Sequence, residues 1–214
     1  ASSLTRGYTI RHIFILGGGS VLTVYGDHRS GNCLKVKWML DVLEHDYRWV
    51  ETDVLSGATR TPEFLARNPA GQVPAMEFAD GRVLAQSNAI LLYLAEGTAW
   101  VPADRFTRAR MIEWLFREQY SHEPYIAVAR FQRLLAGMSA DEIAPRLMQK
   151  GHAALARMEA ALSGGGWLAG EAASLADVAL VAYTRVAGEE GFDLAGYPAV
   201  RAWIVRVEAA LGIG

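Results

Sequence analysis

Two serines stand where the sequence pattern turns from extended to helical. Ser30 follows the short apolar run Leu22-Thr-Val-Tyr25 and precedes a helical pattern; Ser87, behind Gln86, opens another. The first turn of a helix leaves N–H groups unpaired and carries the positive end of the helix dipole, so both positions favour an anion. A hydroxyl there adds a donor. Asn32 brings an amide close to Ser30, and Cys33 completes the run Ser30-Gly31-Asn32-Cys33. Ser30 is too weak to act as a base, and no partner base that would make it a nucleophile is evident.

Other chemistries are excluded by what the 214 residues lack. The one cysteine rules out an internal disulfide and a cysteine-based zinc site, and it fits a reducing compartment. The five histidines, His12, His28, His45, His122 and His152, have no spacing that pairs them on one helix face, so no metal site is expected. There is no P-loop, no GxSxG and no GxGxxG. A net charge of -2 argues against nucleic acid as a partner. No apolar run approaches the roughly 18 residues of a membrane span.

The elements that must position these residues follow from periodicity. Leu22–Tyr25 reads as a first strand. Gly31 to His45 reads as a helix, with Leu34, Trp38 and Val42 on one face and Lys35, Lys37, Asp41 and Glu44 turned outward. Tyr47 to Val54 is a second strand. A short helix opens at Thr61-Pro62-Glu63, Thr61 being its N-cap. Asn68-Pro69-Ala70-Gly71 breaks it, Val73–Phe78 and Arg82–Ala85 form two further strands, and Gln86–Glu96 is a helix. The order β-α-β-α-β-β-α predicts a mixed sheet with helices against it.

From residue 98 the character changes. Residues 98–104 read as a linker, and residues 105–214 as all-helical. Asp104 caps a long helix to about Ala136, which Pro124 should kink. Ser139 and Glu142 have capping-box spacing, predicting a helix from there to about Leu162. Ser174 and Asp177 repeat that spacing ahead of another helix, and Pro198 opens the last. Residues 1–21 carry Arg6, Arg11 and His12 and no acid. They read as a loosely docked tail, or as residues preceding a true start near Val21.

The first half, 22–97, resembles the thioredoxin fold, with Ser30-Gly-Asn-Cys33 where thioredoxins carry Cys-x-x-Cys. Three features make the chain similar to the cytosolic glutathione transferases of the theta-like and bacterial type: this run, the segment Asn68-Pro-Ala-Gly-Gln-Val-Pro74, and Gln86-Ser87 at a helix start. Trp167-Leu-Ala-Gly170 followed by Ser174-Leu-Ala-Asp177 resembles the signature of that family's helical domain, and Glu118–Tyr125 a run of its bacterial members. The likeness extends from residue 22 to about 210.

The resemblance implies a thioredoxin-like domain that holds glutathione and an all-helical domain that walls the second substrate. It implies a cis peptide bond at Pro74, where the residues alone would favour an ordinary trans entry to a strand. The glutathione cysteinyl unit would then pair with the backbone of Val73, as an added strand. The γ-glutamyl carboxylate would lie at Ser87, with Gln86 also touching that group. Arg60, twelve residues before Gln72, and Gln72 itself are candidates for the glycine carboxylate. Ser30 would hydrogen-bond the thiolate, with Asn32 as partner or rival. Tyr25, at the end of the first strand, is a further rival, and Cys33 reads as a packing residue. Trp114, Tyr120, Tyr125 and Phe131 are candidate walls for the electrophile.

Magnitudes limit what thiol activation contributes. Lowering a thiol pKa from ~8.5 by ~2 units raises the thiolate fraction about 20-fold. Nucleophilicity falls with pKa by up to about tenfold, leaving a net gain of about two- to threefold. Most of the rate must come from holding the electrophile beside the sulfur. The expected activity is conjugation of glutathione to an electrophilic, hydrophobic small molecule, in detoxification, by a cytoplasmic homodimer. Two alternatives stand beside it: peroxidase or disulfide reductase chemistry on the same site, and a non-catalytic interaction module. An isomerase of this family would carry Ser-Ser-Cys-Ser, which is absent.

Overall fold

The computed structural model describes residues 22–135, 137–139 and 142–214. The tail expected over residues 1–21 lies outside them. A four-stranded sheet comes first, built from β1 (Leu22–Gly26), β2 (Tyr47–Glu51), β3 (Ala75–Glu77) and β4 (Val83–Ala85) in the order β2-β1-β3-β4. β1 pairs parallel with β2 and antiparallel with β3, which pairs antiparallel with β4. The sheet is therefore mixed. α1 (Gly31–Val42) crosses from β1 to β2, α2 (Pro62–Arg67) precedes β3, and α3 (Ser87–Ala95) follows β4. This is the predicted β-α-β-α-β-β-α order.

Local chemistry sets the element ends. Thr61 caps α2 by accepting the Phe64 N–H at 3.2 Å, with Pro62 at the first helical position. β3 is shorter than the predicted Val73–Phe78, because Pro74 has no N–H to give a ladder. Ahead of it the Val73–Pro74 peptide bond is cis. β2 stops at Glu51 rather than Val54, and α1 ends at Val42, with Glu44 left-handed at φ 54°.

The rest is helical: α4 (Arg105–Ser121), α5 (Glu123–Arg130), a π-helical turn at Phe131–Leu135, α6 (Pro145–Leu162), α7 (Leu175–Thr184) and α8 (Pro198–Leu211). Asp104 caps α4, accepting both the N–H and the hydroxyl of Thr107 at 2.8 Å. The long helix expected to run to Ala136 is broken at His122, whose ψ of −68° and φ of −125° turn the chain two residues ahead of Pro124. The capping box read at Ser139 does not open α6. Glu142 does accept the Ser139 N–H at 2.7 Å, but α6 begins only at Pro145. A proline biases the residue before it to extended backbone, and Ala144 has ψ 124°, so no helix runs through that point.

The apolar faces converge on α7, all ten of whose residues are buried. One continuous core joins Val24, Val36, Met39 and Leu91 of the sheet unit to Met111, Leu115, Val178, Val181 and Trp203 of the helical unit. A second cluster, Ile126, Leu155, Tyr183 and Phe192, underlies α5. Sandwiched between the sheet and the helical unit, α1 has no solvent side at Lys35. The predicted outward lysine is fully buried and paired with Glu118.

Candidate functional site

A cleft of about 580 Å³ opens where the two units meet. The eight residues assigned to glutathione and its thiol from the sequence line it: Ser30, Asn32, Arg60, Gln72, Val73, Pro74, Gln86 and Ser87. They come from the β1–α1 corner, the turn before α2, the loop before β3 and the start of α3. The opposite wall is Gln119 of α4, Glu123, Ala127, Val128 and Arg130 of α5, Phe131 of the π turn, and Tyr183 of α7.

Two helix N-termini face this space. Ser30 is the N-cap of α1, in extended conformation, and its side chain makes no capping bond. Gln86 holds the position before α3 at φ 71°, ψ 111°. A non-glycine residue there carries backbone strain of about 1–3 kcal/mol, of the kind concentrated at functional sites. That turn lets the chain pass from β4 straight into a helix whose first residue, Ser87, is 5% exposed. Between these termini neither the N–H nor the C=O of Val73 has a hydrogen-bond partner among the described residues. Both remain available to an added extended segment.

Asn32 joins the two walls. Its Oδ1 accepts from the Ser87 hydroxyl at 3.1 Å, its Nδ2 donates to Glu123 Oε1 at 3.2 Å, and its backbone N–H points to the Tyr183 phenol oxygen at 3.4 Å. Burial pushes the Glu123 carboxyl upward, and the nearby Glu118 adds to it. At the other end Arg60 is exposed and lies over Gly71, where its Nη1 would meet an added Cβ at 2.4 Å. Only a glycine, with φ 61°, leaves that room. The cleft floor is set by Asp27. Burial would raise its carboxyl, but hydrogen bonds from Arg29 and from Val54 N–H outweigh this and bring it to about 2. Arg29 also pairs with Asp53, and its carbonyl accepts from Arg130 at 2.6 Å.

Of the rivals to Ser30, Asn32 lines the cleft, while Tyr25 and Cys33 fall away from it. The Tyr25 hydroxyl is given to Glu77 at 2.7 Å, under Arg67 and edge-on to Phe64. Cys33 is wholly buried, and burial pushes its thiol to about 11, so it is a packing residue. Of the four aromatic walls expected, only Phe131 lines the cleft. Trp114 is core, and Tyr120 is 85% exposed. Asp27, His28 and Glu51 bring three donor atoms within 4.8 Å, but Arg29 and Val54 already occupy the Asp27 carboxylate.

Glu123, Tyr183 and Arg130 were not picked out from the sequence. One signal was present for Tyr183: it is the only aromatic residue in the mainly apolar run Leu175–Thr184, and a buried phenol needs a polar partner.

Comparison with known proteins identifies the two units. Residues 20–96 match the family model "Glutathione S-transferase, N-terminal domain", and residues 116–210 match "Glutathione S-transferase, C-terminal domain". A glutathione S-transferase structure from Pseudomonas fluorescens [Pf-5] superposes with a TM-score of 0.86 at 49% identity, covering 89% of this chain and 96% of that one. The maleylacetoacetate isomerase of Rhizobium meliloti (strain 1021) is 36% identical, over 82% of this chain and 85% of its own. The disulfide-bond oxidoreductase YfcG of Escherichia coli (strain K12) is 30% identical, over 84% and 87%. With two halves matched in order and a cleft built at their junction, this chain belongs to the glutathione S-transferase family.

Proposed function

We propose that this glutathione transferase binds its co-substrate along the cleft and presents the sulfur as a thiolate at the N-terminus of α1. The γ-glutamyl carboxylate lies at Gln86 and Ser87, at the start of α3. The cysteinyl backbone pairs with Val73, next to Pro74. The glycine carboxylate reaches Arg60 and Gln72. The sulfur lies at Ser30 and Asn32, where a hydroxyl and the helix dipole favour the anion. Residues 22–97 form the glutathione unit, 98–104 the linker and 105–214 the wall for a small hydrophobic electrophile. The thiolate attacks an electrophilic carbon, and the leaving group departs into the open side of the cleft.

The observation that carries this reading is that eight residues from four separate segments converge on one cleft of about 580 Å³. Exposed Phe116 and Tyr120, one turn apart on α4, support a homodimer. The single, buried Cys33 supports a reducing, cytoplasmic setting.

The relation to a disulfide-bond oxidoreductase supports a second reading, in which the thiolate attacks sulfur instead of carbon. A panel with glutathione separates the two: an aryl halide, an organic peroxide, a mixed disulfide and a cis-enone open to isomerisation, each repeated for Ser30→Ala. Conjugation of the aryl halide, reduced about tenfold or more in Ser30→Ala, is the expected outcome. Turnover of the disulfide alone favours the second reading. Full activity in Ser30→Ala overturns the sulfur's placement, and absence of glutathione binding overturns the whole.

A further inference from the structure

Tyr183 enters the cleft from the helical unit, at the C-terminal end of α7. Its ring packs flat against the first turn of α1: a Cβ on Gly31 would lie 2.9 Å from the ring carbons. Its phenol oxygen is therefore held at the mouth of that helix. The Asn32 N–H points to it at 3.4 Å. Asn32, which faces the sulfur in the reading above, thus points at the phenol oxygen, and Ser30 lines the same cleft.

Tyr183 accepts that bond, and among the described residues its own O–H is donated to no protein group. Buried phenols ordinarily give that proton to an acceptor. Tyr183 is only 7% exposed, and it borders the cleft. An acceptor at that point must lie in the cleft, against the N-terminus of α1.

We propose that Tyr183 is a catalytic residue of the transferase, donating its phenolic hydrogen bond to the glutathione sulfur beside Ser30. The inference rests on the placement of the sulfur at Ser30. It makes the helical unit a contributor to thiolate stabilisation, beyond walling the electrophile. A phenol that accepts the Asn32 N–H and donates to an anion is polarised along that chain, which strengthens the terminal bond. The ionisable groups facing the phenol are Glu123 on α5 and Cys33 on α1. Burial pushes the phenol up to about 12, against the bond from the Asn32 N–H. Tyr183 therefore stays protonated and acts as a donor, and the thiol proton leaves to water through the open cleft.

The test is a titration of bound glutathione, read by thiolate ultraviolet absorbance, in wild type and Tyr183→Phe. Phenylalanine keeps the ring against Gly31 and removes only the hydroxyl. The expected result is a bound-thiol pKa about one unit higher in Tyr183→Phe, hence about tenfold less thiolate where the wild type is half-ionised. The glutathione Kd at a pH that keeps both thiols protonated should match wild type, which a merely structural role would not predict. An unchanged thiol pKa in a folded Tyr183→Phe that binds glutathione overturns the proposal. If the wild type itself fails to lower the thiol below about 8.5, the sulfur placement at Ser30 has failed instead. Should Tyr183→Phe not fold, wild type labelled with ¹³Cζ-tyrosine gives the same answer. One tyrosine Cζ resonance should shift with the bound thiol's ionisation and stay still with S-methylglutathione; no such resonance overturns the proposal.

Discussion

Lys35 Nζ lies 3.1 Å from Glu118 Oε1, and neither side chain exposes any surface. The carboxylate does more than balance the lysine. Its Oε2 accepts from Asn88 Nδ2 at 2.9 Å and from Gln119 Nε2 at 2.8 Å. Lys35 belongs to the helix that starts at Ser30, Asn88 follows Ser87, and Gln119 lines the cleft. One buried carboxylate therefore ties the two helix N-termini of the site to the helical wall.

Breaking such a pair strands a charge in the interior, at a cost of about 3–5 kcal/mol. Lys35→Met should lower stability by that amount in urea unfolding. Lys35→Met with Glu118→Leu should recover much of the loss, because an apolar pair of similar volume costs less than an unpaired ion. The double variant should still bind glutathione more weakly, with Asn88 and Gln119 released. A single variant within about 1 kcal/mol of wild type would show that the pair carries no such load.

Asp177 is the corresponding hub of the helical unit. Its carboxylate accepts from the Leu168 N–H at 3.1 Å, the Ser174 N–H at 2.9 Å, the Ser174 hydroxyl at 3.1 Å and Trp203 Nε1 at 2.8 Å. Burial pushes this carboxyl upward, and those hydrogen bonds pull it back. Asp177→Ala leaves four donors buried with one acceptor group gone. A loss of about 3 kcal/mol or more is expected, while the residual folded fraction keeps its glutathione KM. A stability change below about 1 kcal/mol, or a large shift in KM alone, would contradict the assignment of Asp177 to folding.

The contrast between these two hubs shows what the sequence carried. Ser174 and Asp177 have a local spacing with a mechanism behind it, and the box forms. Ser139 and Glu142 have the same spacing, but Pro145 three residues on forbids a helix through it, and the hydrogen bond closes a turn instead. Lys35 and Glu118 are 83 residues apart, and no local rule pairs them. Periodicity alone turned Lys35 outward, because it assumes a helix with one wet face. α1 has none at that point. The site divides the same way. Ser30, Val73, Gln86 and Ser87 were legible because each sits at a strand or helix end, where backbone groups are left over. Tyr183 and Glu123 were not, since they reach the cleft only through the packing of α7 and α5 onto α1.

His122, at the break between α4 and α5, gives a pH signature. It is 2% exposed; Nε2 meets the Thr184 hydroxyl at 2.8 Å, and Nδ1 has no partner. Burial holds its pKa down to about 4, with Lys35 adding to the effect and Glu118 opposing it. Between about 6.5 and about 4 the unfolded chain binds a proton here that the folded chain refuses. Stability from this group is intact above pH 6.5 and falls as pH drops through that window, by about 3 kcal/mol in all. Urea unfolding from pH 7 to pH 4.5 should show a shallower decline in His122→Gln than in wild type. Parallel curves would mean that the imidazole titrates normally.

Glu123 should show the opposite sign. Its carboxyl is raised by burial first and by Glu118 second, while Lys35 and the Asn32 amide pull it down. An acid held above its unfolded pKa favours the folded state while protonated and costs stability as pH rises through the folded value. Glu123→Gln keeps an oxygen for the Asn32 amide, now 3.2 Å from Oε1, and removes the charge. The variant should therefore match wild type near pH 4 and unfold at higher temperature near pH 7. Glutathione binding should persist, since Ser87 still donates to Asn32 at 3.1 Å. A melting temperature that falls at pH 7 would mean that the ionised carboxylate is needed where it stands, as a partner for a cation that enters with the substrate.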